Sequence, residues 1–450
     1  MAGKTHSTRI ILFALLIIGF GIVAAYFVPA LFGGIGGDPS ASLTGGIDQH
    51  LIERGAYVAI EGDCAACHTA PAGKAFAGGL ALATPLGAVY STNITPDKET
   101  GIGAYTYGDF ERAVRRGIRP DGRSLYPAMP YPSYARISDD DVKALYAFFM
   151  KGVAPVRQAA LKPDIPWPLS MRWPLTYWRW AFAPPVQPAA ATAGSDPIAA
   201  RGAYLVEGLG HCGSCHTPRG IGLEEKALKA GSNAYLSGAV VDHYLASDLR
   251  GGAWAGLGAW RESDIVQFLK TGRTRNSAAF GGMADVVFHS TQDMSDADLQ
   301  AIAHFLKSLP SAADDRKFAY EPAVTAALHM GDVSKTGAID YLNNCAACHT
   351  SSGKGYPLTF PALAGNPVVN AADPSSLIHI VLSGGTVPST GSEPTAFTMP
   401  GFKNRLTDQE IADVLNFIRS SWGNDAAQVD AGQVANIRAS LPMSNYAKAP

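Results

Sequence analysis

An all-α fold of three small tandem domains, preceded by one transmembrane helix, is what this 450-residue sequence predicts. Three observations carry that prediction. A five-residue motif, Cys-x-x-Cys-His, occurs three times, at Cys64 to His68, Cys212 to His216 and Cys345 to His349. Each copy is followed further along by an amphipathic helix with the same kind of N-terminal cap. An uncharged run from Ile10 to Phe32 lies near the N-terminus.

The motif has a specific chemistry. Two cysteines three apart on a helical turn can form thioethers to the two vinyl groups of one haem, and the adjacent histidine can then coordinate the iron. Composition alone would produce roughly 0.002 copies in a chain of this kind, so three copies are not accidental. All six cysteines lie in the three motifs. Zinc ribbons place their Cys pairs about 15 to 20 residues apart, whereas well over a hundred residues separate these pairs. A redox dithiol needs a βαβ context and no histidine after the second cysteine. The chain therefore reads as a trihaem cytochrome c. Cys64, Cys67, Cys212, Cys215, Cys345 and Cys348 would attach three covalently bound haems c, and His68, His216 and His349 would be the proximal iron ligands.

The repeats are visible outside the motifs. Arg54-Gly55-Ala56-Tyr57 leads into the first, Arg201-Gly202-Ala203-Tyr204 into the second, and the looser Gly337-Ala338-Ile339-Asp340-Tyr341 into the third. Each closes with a capped helix opening at Ser138, Ser295 or Thr407, with acidic residues in its first turn. Apolar residues then recur at helical spacing: Val142, Leu145, Tyr146 and Phe149; Leu299, Ile302, Ala303 and Leu306; Ile411, Val414, Leu415 and Ile418. A leading helix crossing a closing helix, with loops round a haem, is the small all-α cytochrome c plan. Internal repetition sets the architecture.

The expected organisation follows. Residues 1–45 form a membrane anchor and linker, residues 46–154, 195–312 and 325–424 the three domains, 155–194 a Pro/Trp-rich linker, and 425–450 a C-terminal tail. The N-terminal run is long enough to span a bilayer, and Lys4 and Arg9 before it predict a cytoplasmic start. A cleaved signal peptide is the competing reading, since Val28-Pro29-Ala30 resembles a cleavage site. With the run retained, the chain would sit in the inner membrane by a single span, its haem domains in the periplasm. The linker aromatics Trp167, Trp173, Tyr177, Trp178 and Trp180 suit packing, a partner subunit or a membrane surface.

Charge narrows the partners. Thirty-six basic residues against 38 acidic ones leave a net charge of −2, which gives no reason to expect nucleic acid. Only 16 % of residues are charged, while Gly and Pro number 48 and 30. That balance favours small, loop-rich domains in which the haem itself supplies much of the core.

Each domain needs a sixth iron ligand, and methionine is the usual partner of histidine in cytochromes c. Met129, Met283 and Met399 lie between motif and closing helix, each next to Pro or Gly, as a loop approaching a haem face requires. Met150 and Met294 are weaker rivals because they sit on or beside closing helices. His211, His289, His304 and His379 could replace a methionine, but an isolated histidine is more often a satisfied polar residue. No nucleotide-binding glycine motif, zinc-protease motif or nucleophile elbow is present, and no chain remains for a catalytic domain. Saturated His/Met haems exchange electrons more readily than they bind substrate.

The triple motif, Ser91-Thr92-Asn93-Ile94-Thr95-Pro96-Asp97, the Arg-Gly-Ala-Tyr leads and the stretch from Gly281-Gly282-Met283-Ala284 to Leu309-Pro310 carry a family likeness. Over residues 45–424 the chain resembles the membrane-bound trihaem cytochrome c subunit of periplasmic alcohol, aldehyde and gluconate dehydrogenases of acetic acid bacteria. The resemblance implies an electron-transfer subunit that is not catalytic alone. Electrons would pass from a large catalytic subunit through three haems to membrane ubiquinone. His68, His216 and His349 carry over as proximal ligands and Met129, Met283 and Met399 as distal ones. The retained N-terminal run favours an aldehyde dehydrogenase complex, whose catalytic subunit would hold molybdopterin beside a small iron–sulfur subunit. The alternatives are the same role in an alcohol dehydrogenase, which would use pyrroloquinoline quinone, or in a sugar-acid dehydrogenase, and a general trihaem carrier feeding a terminal oxidase.

Overall fold

A computed structural model of the chain describes residues 46–188, 196–311 and 316–441. These residues pack as two compact units, one of residues 46–56 and 68–188, the other of 57–67, 196–311 and 316–441.

In the first unit the closing helix runs Asp139–Ala147 and continues through a π-helical turn, Phe148–Gly152. Ser138 caps it, its hydroxyl accepting from the Asp141 backbone N–H, one of the groups a helix start leaves unpaired. Val142, Leu145 and Phe149 are buried, as their spacing predicts. Gly55 of the lead sits where a Cβ would collide with the Ala144 carbonyl oxygen, so only glycine allows this crossing. Beside it Arg54 donates through Nε and Nη2 to Asp141 Oδ1, at 3.0 and 2.7 Å.

The second unit makes the same crossing twice. Its leading helices are Pro197–Tyr204 and Ala338–Asn344, and its closing helices are Asp296–Ser308 and Asp408–Arg419. A Cβ on Gly202 would meet the Ala301 carbonyl, and one on Gly337 the Asp413 carbonyl. Arg201 Nε donates to Asp298 at 2.7 Å, the counterpart of the Arg54 pair, and Arg201 also pairs with Glu61. The third lead has Thr336 in place of that arginine. The matching carboxylate, Glu410, instead closes a capping box with Thr407. The predicted stripes of both closing helices are buried. Replacing Gly202 by Val is therefore expected to cost about 1–3 kcal/mol through overpacking. A urea midpoint unchanged from the parent protein would show that the two helices do not meet there.

Three expectations need correction. The fold is mostly helical but not all-α. Among the described residues three small antiparallel ribbons pair Ala81–Leu82 with Val89–Tyr90, Ala239–Val241 with Tyr244–Ala246, and Gly385–Thr386 with Thr398–Met399. Long loops that turn back on themselves satisfy their backbone groups this way, and the middle ribbon turns at Asp242-His243, both at positive φ as a type I′ turn requires. The single membrane span is also withdrawn. The run 10–32 lies outside the described residues, and no described helix is long and apolar enough to cross a membrane. The tail expected from residue 425 is in part core. A helix, Ala431–Ser440, buries Val434 and Ile437 against the third closing helix, and Arg438 Nε reaches Asp408 at 2.7 Å.

The linker aromatics divide. Helix Pro174–Phe182 packs Trp178 edge-on to Tyr131, with ring centroids 6.1 Å apart. Trp167 and Trp180 stay 80 % and 84 % exposed.

Candidate haem-binding sites

The three motifs are helical at their cores, over Cys64–His68, Gly213–His216 and Ala346–His349. One contact recurs in all three. The Nδ1 atoms of His68, His216 and His349 lie 2.7, 2.7 and 2.9 Å from the backbone carbonyls of Thr92, Ser247 and Pro361. A carbonyl only accepts, so Nδ1 must carry the proton, and the Nε2 lone pair is left for a metal. Burial pushes all three imidazoles below their usual pKa, with the carbonyl bond opposing it. Neutral imidazole is the form that coordinates iron. A second contact repeats with it. Gly78, Gly238 and Gly355, all at positive φ, donate their N–H to the carbonyls of His68, His216 and His349.

The cysteines are poised against free thiolate chemistry. Burial, aided by Asp63 and Cys67, pushes the Cys64 thiol up to about 12, and burial and Asp63 push Cys67 to about 11. Burial likewise pushes Cys212 and Cys345 to about 12 and raises Cys215. Thiols held protonated are poor nucleophiles and poor redox dithiols. Among the described residues no group of three or more His, Cys, Asp or Glu could hold a metal ion.

The expected distal residues fall in three settings. Met399 lies on a ribbon strand opposite Gly385. Cys345, Cys348, His349 and Met399 line one cavity, whose walls include Leu377, Val381, Phe397 and Ile418. An apolar cavity carrying two thiols, an imidazole and a thioether fits a covalently attached haem. Met283 is half-buried in the first turn of helix Gly282–His289, after Gly281 at positive φ. Met129 is half-buried before Pro130, and its carbonyl accepts from Tyr131 N–H at 2.8 Å. The rivals differ in setting. Met294 is only 3 % exposed, among core side chains, and Met150 lies on the π-helical turn of the first closing helix.

The alternative histidines have other partners. His304 bonds Asp196 and Glu262 near the surface, and His379 stacks on Tyr244 with centroids 3.8 Å apart. His211 bonds the Gly62 backbone, and His289 meets the Phe288 ring edge-on.

The Ser91–Asp97 stretch acquires a physical role. The Thr92 carbonyl holds His68, while buried Asn93 donates to the Val156 carbonyl at 2.7 Å and accepts from Thr95. The motif thus ties the start of the linker to the loop that orients the histidine. The sequence reading missed the carbonyls of Ser247 and Pro361, because a backbone acceptor leaves no residue-type signal. It also missed Ser277–Phe280, a loop of the second repeat that lines the third cavity.

The sequence profile of the Cytochrome c family matches residues 52–152, 199–310 and 334–422, well over half the chain. The chain belongs to the cytochrome c family. Three cytochrome c domains imply covalently bound haem c, and the residues described above fit it. Over 394 residues this cytochrome c is 57 % identical to the gluconate 2-dehydrogenase cytochrome c subunit of Pantoea cypripedii, covering 86 % of this chain and 89 % of that one. It is 54 % identical over 395 residues to the cytochrome c subunit of alcohol dehydrogenase (quinone) from Gluconobacter oxydans (strain 621H), covering 87 % and 83 %. The fructose dehydrogenase cytochrome subunit of Gluconobacter japonicus is 39 % identical over 406 residues, covering 86 % and 82 %.

Proposed function

We propose that this cytochrome c is the electron-transfer subunit of a quinone-linked dehydrogenase complex. It takes electrons from a separate catalytic subunit that oxidises a hydroxyl group, on gluconate or an alcohol, and delivers them to ubiquinone. The observation that carries the reading is the third site, where two cysteines, a histidine and a methionine line one apolar cavity. Bound haem c supplies one-electron exchange, and a histidine–methionine pair leaves the iron no open position for substrate. The chain's own residues do the rest. Cys64, Cys67, Cys212, Cys215, Cys345 and Cys348 anchor the macrocycles. His68, His216 and His349 present Nε2, oriented by the carbonyls behind them. Met129, Met283 and Met399 would supply the second iron ligand, and the apolar walls of the third site would keep water out, which would tune its potential.

The dehydrogenase partner is supported by similarity over nearly the whole chain to subunits named for such complexes. The aldehyde substrate expected from the N-terminal run rests on residues outside those described. The gluconate, alcohol and fructose dehydrogenases named above point instead to hydroxyl substrates, so gluconate and alcohols come first. Purification from the native host in mild detergent tests this directly. Co-purifying chains are identified by mass, and ubiquinone reduction is assayed with gluconate, ethanol and acetaldehyde. A large partner with activity on gluconate or ethanol is expected. Activity on acetaldehyde alone would reassign the substrate, and a chain that purifies alone and reduces no quinone would remove the dehydrogenase role.

A further inference from the structure

The third haem site draws on residues of the second repeat. Its cavity is lined by Ser277–Phe280 as well as by its own motif. Those residues end a rigid turn. Ala279 N–H donates to Gly272 O at 2.7 Å, and Thr274 Oγ1 accepts from the N–H groups of Asn276 and Ser277 at 3.2 and 3.0 Å. Arg273 sits on this turn, a buried residue only 3 % exposed.

The arginine reaches across to the ribbon that carries Met399. Its Nη2 donates to the Thr395 carbonyl at 2.7 Å, and its guanidinium lies over the Phe397 ring, 5.3 Å from the centroid. From there the ribbon transmits position by backbone bonds. Val387 N–H donates to Phe397 O at 2.9 Å, and the next pairs are Thr386 with Thr398 and Gly385 with Met399. Two further contacts hold the same ribbon from the second repeat. Gly391 N–H donates to Gln292 Oε1 at 3.1 Å, and a Cβ on Gly385 would lie 3.6 Å from Phe280 Cβ.

We infer that Arg273 is a positioning residue for the third haem: it clamps the 385–399 ribbon and so fixes where the Met399 sulfur stands against the iron. The inference rests on Met399 being the distal ligand. A planar fork over an aromatic ring, bonded to a carbonyl, specifies geometry that a lysine's point charge does not. Through Arg273, which does not itself line the cavity, the second repeat therefore helps set the potential of the third haem, and its own expected ligand, Met283, follows the same turn by a few residues.

The test uses the full trihaem chain and three variants, Arg273→Met, Arg273→Lys and Met399→Ala. The readouts are the near-infrared methionine-to-ferric-iron absorption band and a redox titration resolving three haems. Met399→Ala is expected to remove about a third of the band. Both Arg273 variants should weaken that same third and lower the potential of that haem alone, while covalent haem content stays at three per chain. That content, with the other two haems unchanged, excludes simple misfolding. Arg273 variants that keep the full band, while Met399→Ala loses its share, overturn the role of Arg273 and leave the ligand assignment standing. A potential shift only in Arg273→Met, with the band intact in both, would reduce Arg273 to a charge and also overturn the inference. A Met399→Ala protein that keeps the whole band overturns the ligand assignment, and the positioning role with it.

Discussion

Removing both thioether anchors of the second repeat, as Cys212→Ser with Cys215→Ser, is expected to leave two covalent haems per chain. It should cut substrate-driven quinone reduction at least ~100-fold, a loss of about 2.7 kcal/mol in transition-state stabilisation. The reason is the place of the second motif. The His211 ring bonds the Gly62 backbone, two residues before Cys64, and Cys215 is near enough to Cys67 to raise its pKa. On its other side the Ser277–Phe280 turn of the same repeat lines the third cavity. A route from either end therefore meets the second repeat. Haem content by the pyridine haemochrome and turnover with the catalytic partner are the two measurements. Full turnover with two haems would mean that electrons by-pass the second site.

Replacing Met399 by His is expected to lower the potential of the third haem by about 0.2 V, within the ~0.8 V range that axial ligands span. A thioether favours ferrous iron more than an imidazole does, so methionine ligation holds the potential high. At ~59 mV per decade for one electron, such a fall shifts the exchange equilibrium by more than three orders of magnitude. Redox titration reads the shift, and turnover should drop with it. A third-haem potential unmoved by the substitution would show that another residue holds the distal position.

Much of the site was legible in the chain. The three motifs name nine residues by type and spacing, and chemistry requires those types there. The closing helices were legible through their caps and periodicity, and Val142, Leu299 and Ile411 are each fully buried where the pattern puts them. The leads were legible as repeated Arg-Gly, although not why glycine stands there. That reason is a carbonyl of a helix distant in sequence, which local pattern cannot reveal.

Other features were out of reach for the same reason. The acceptors behind the histidines are main-chain atoms of Thr92, Ser247 and Pro361, and every residue type has a carbonyl. The ribbons are two or three residues long, too short for a period of two to register. The helix Ala431–Ser440 has few large apolar residues, and burial of Val434 and Ile437 depends on a partner helix.

By itself, then, the sequence determined the family chemistry: three cytochrome c repeats on one small helical plan, each offering a cysteine pair and a histidine. Covalent attachment and helical capping depend on neighbours a few residues away, and such neighbours are written in order along the chain. Only the tertiary structure decided how each imidazole is held neutral, which residues enclose the third cavity, and that Arg273 of one repeat grips the methionine ribbon of another. Those outcomes are contacts between atoms 12 to 122 residues apart in the chain, and burial, not residue type, selects them.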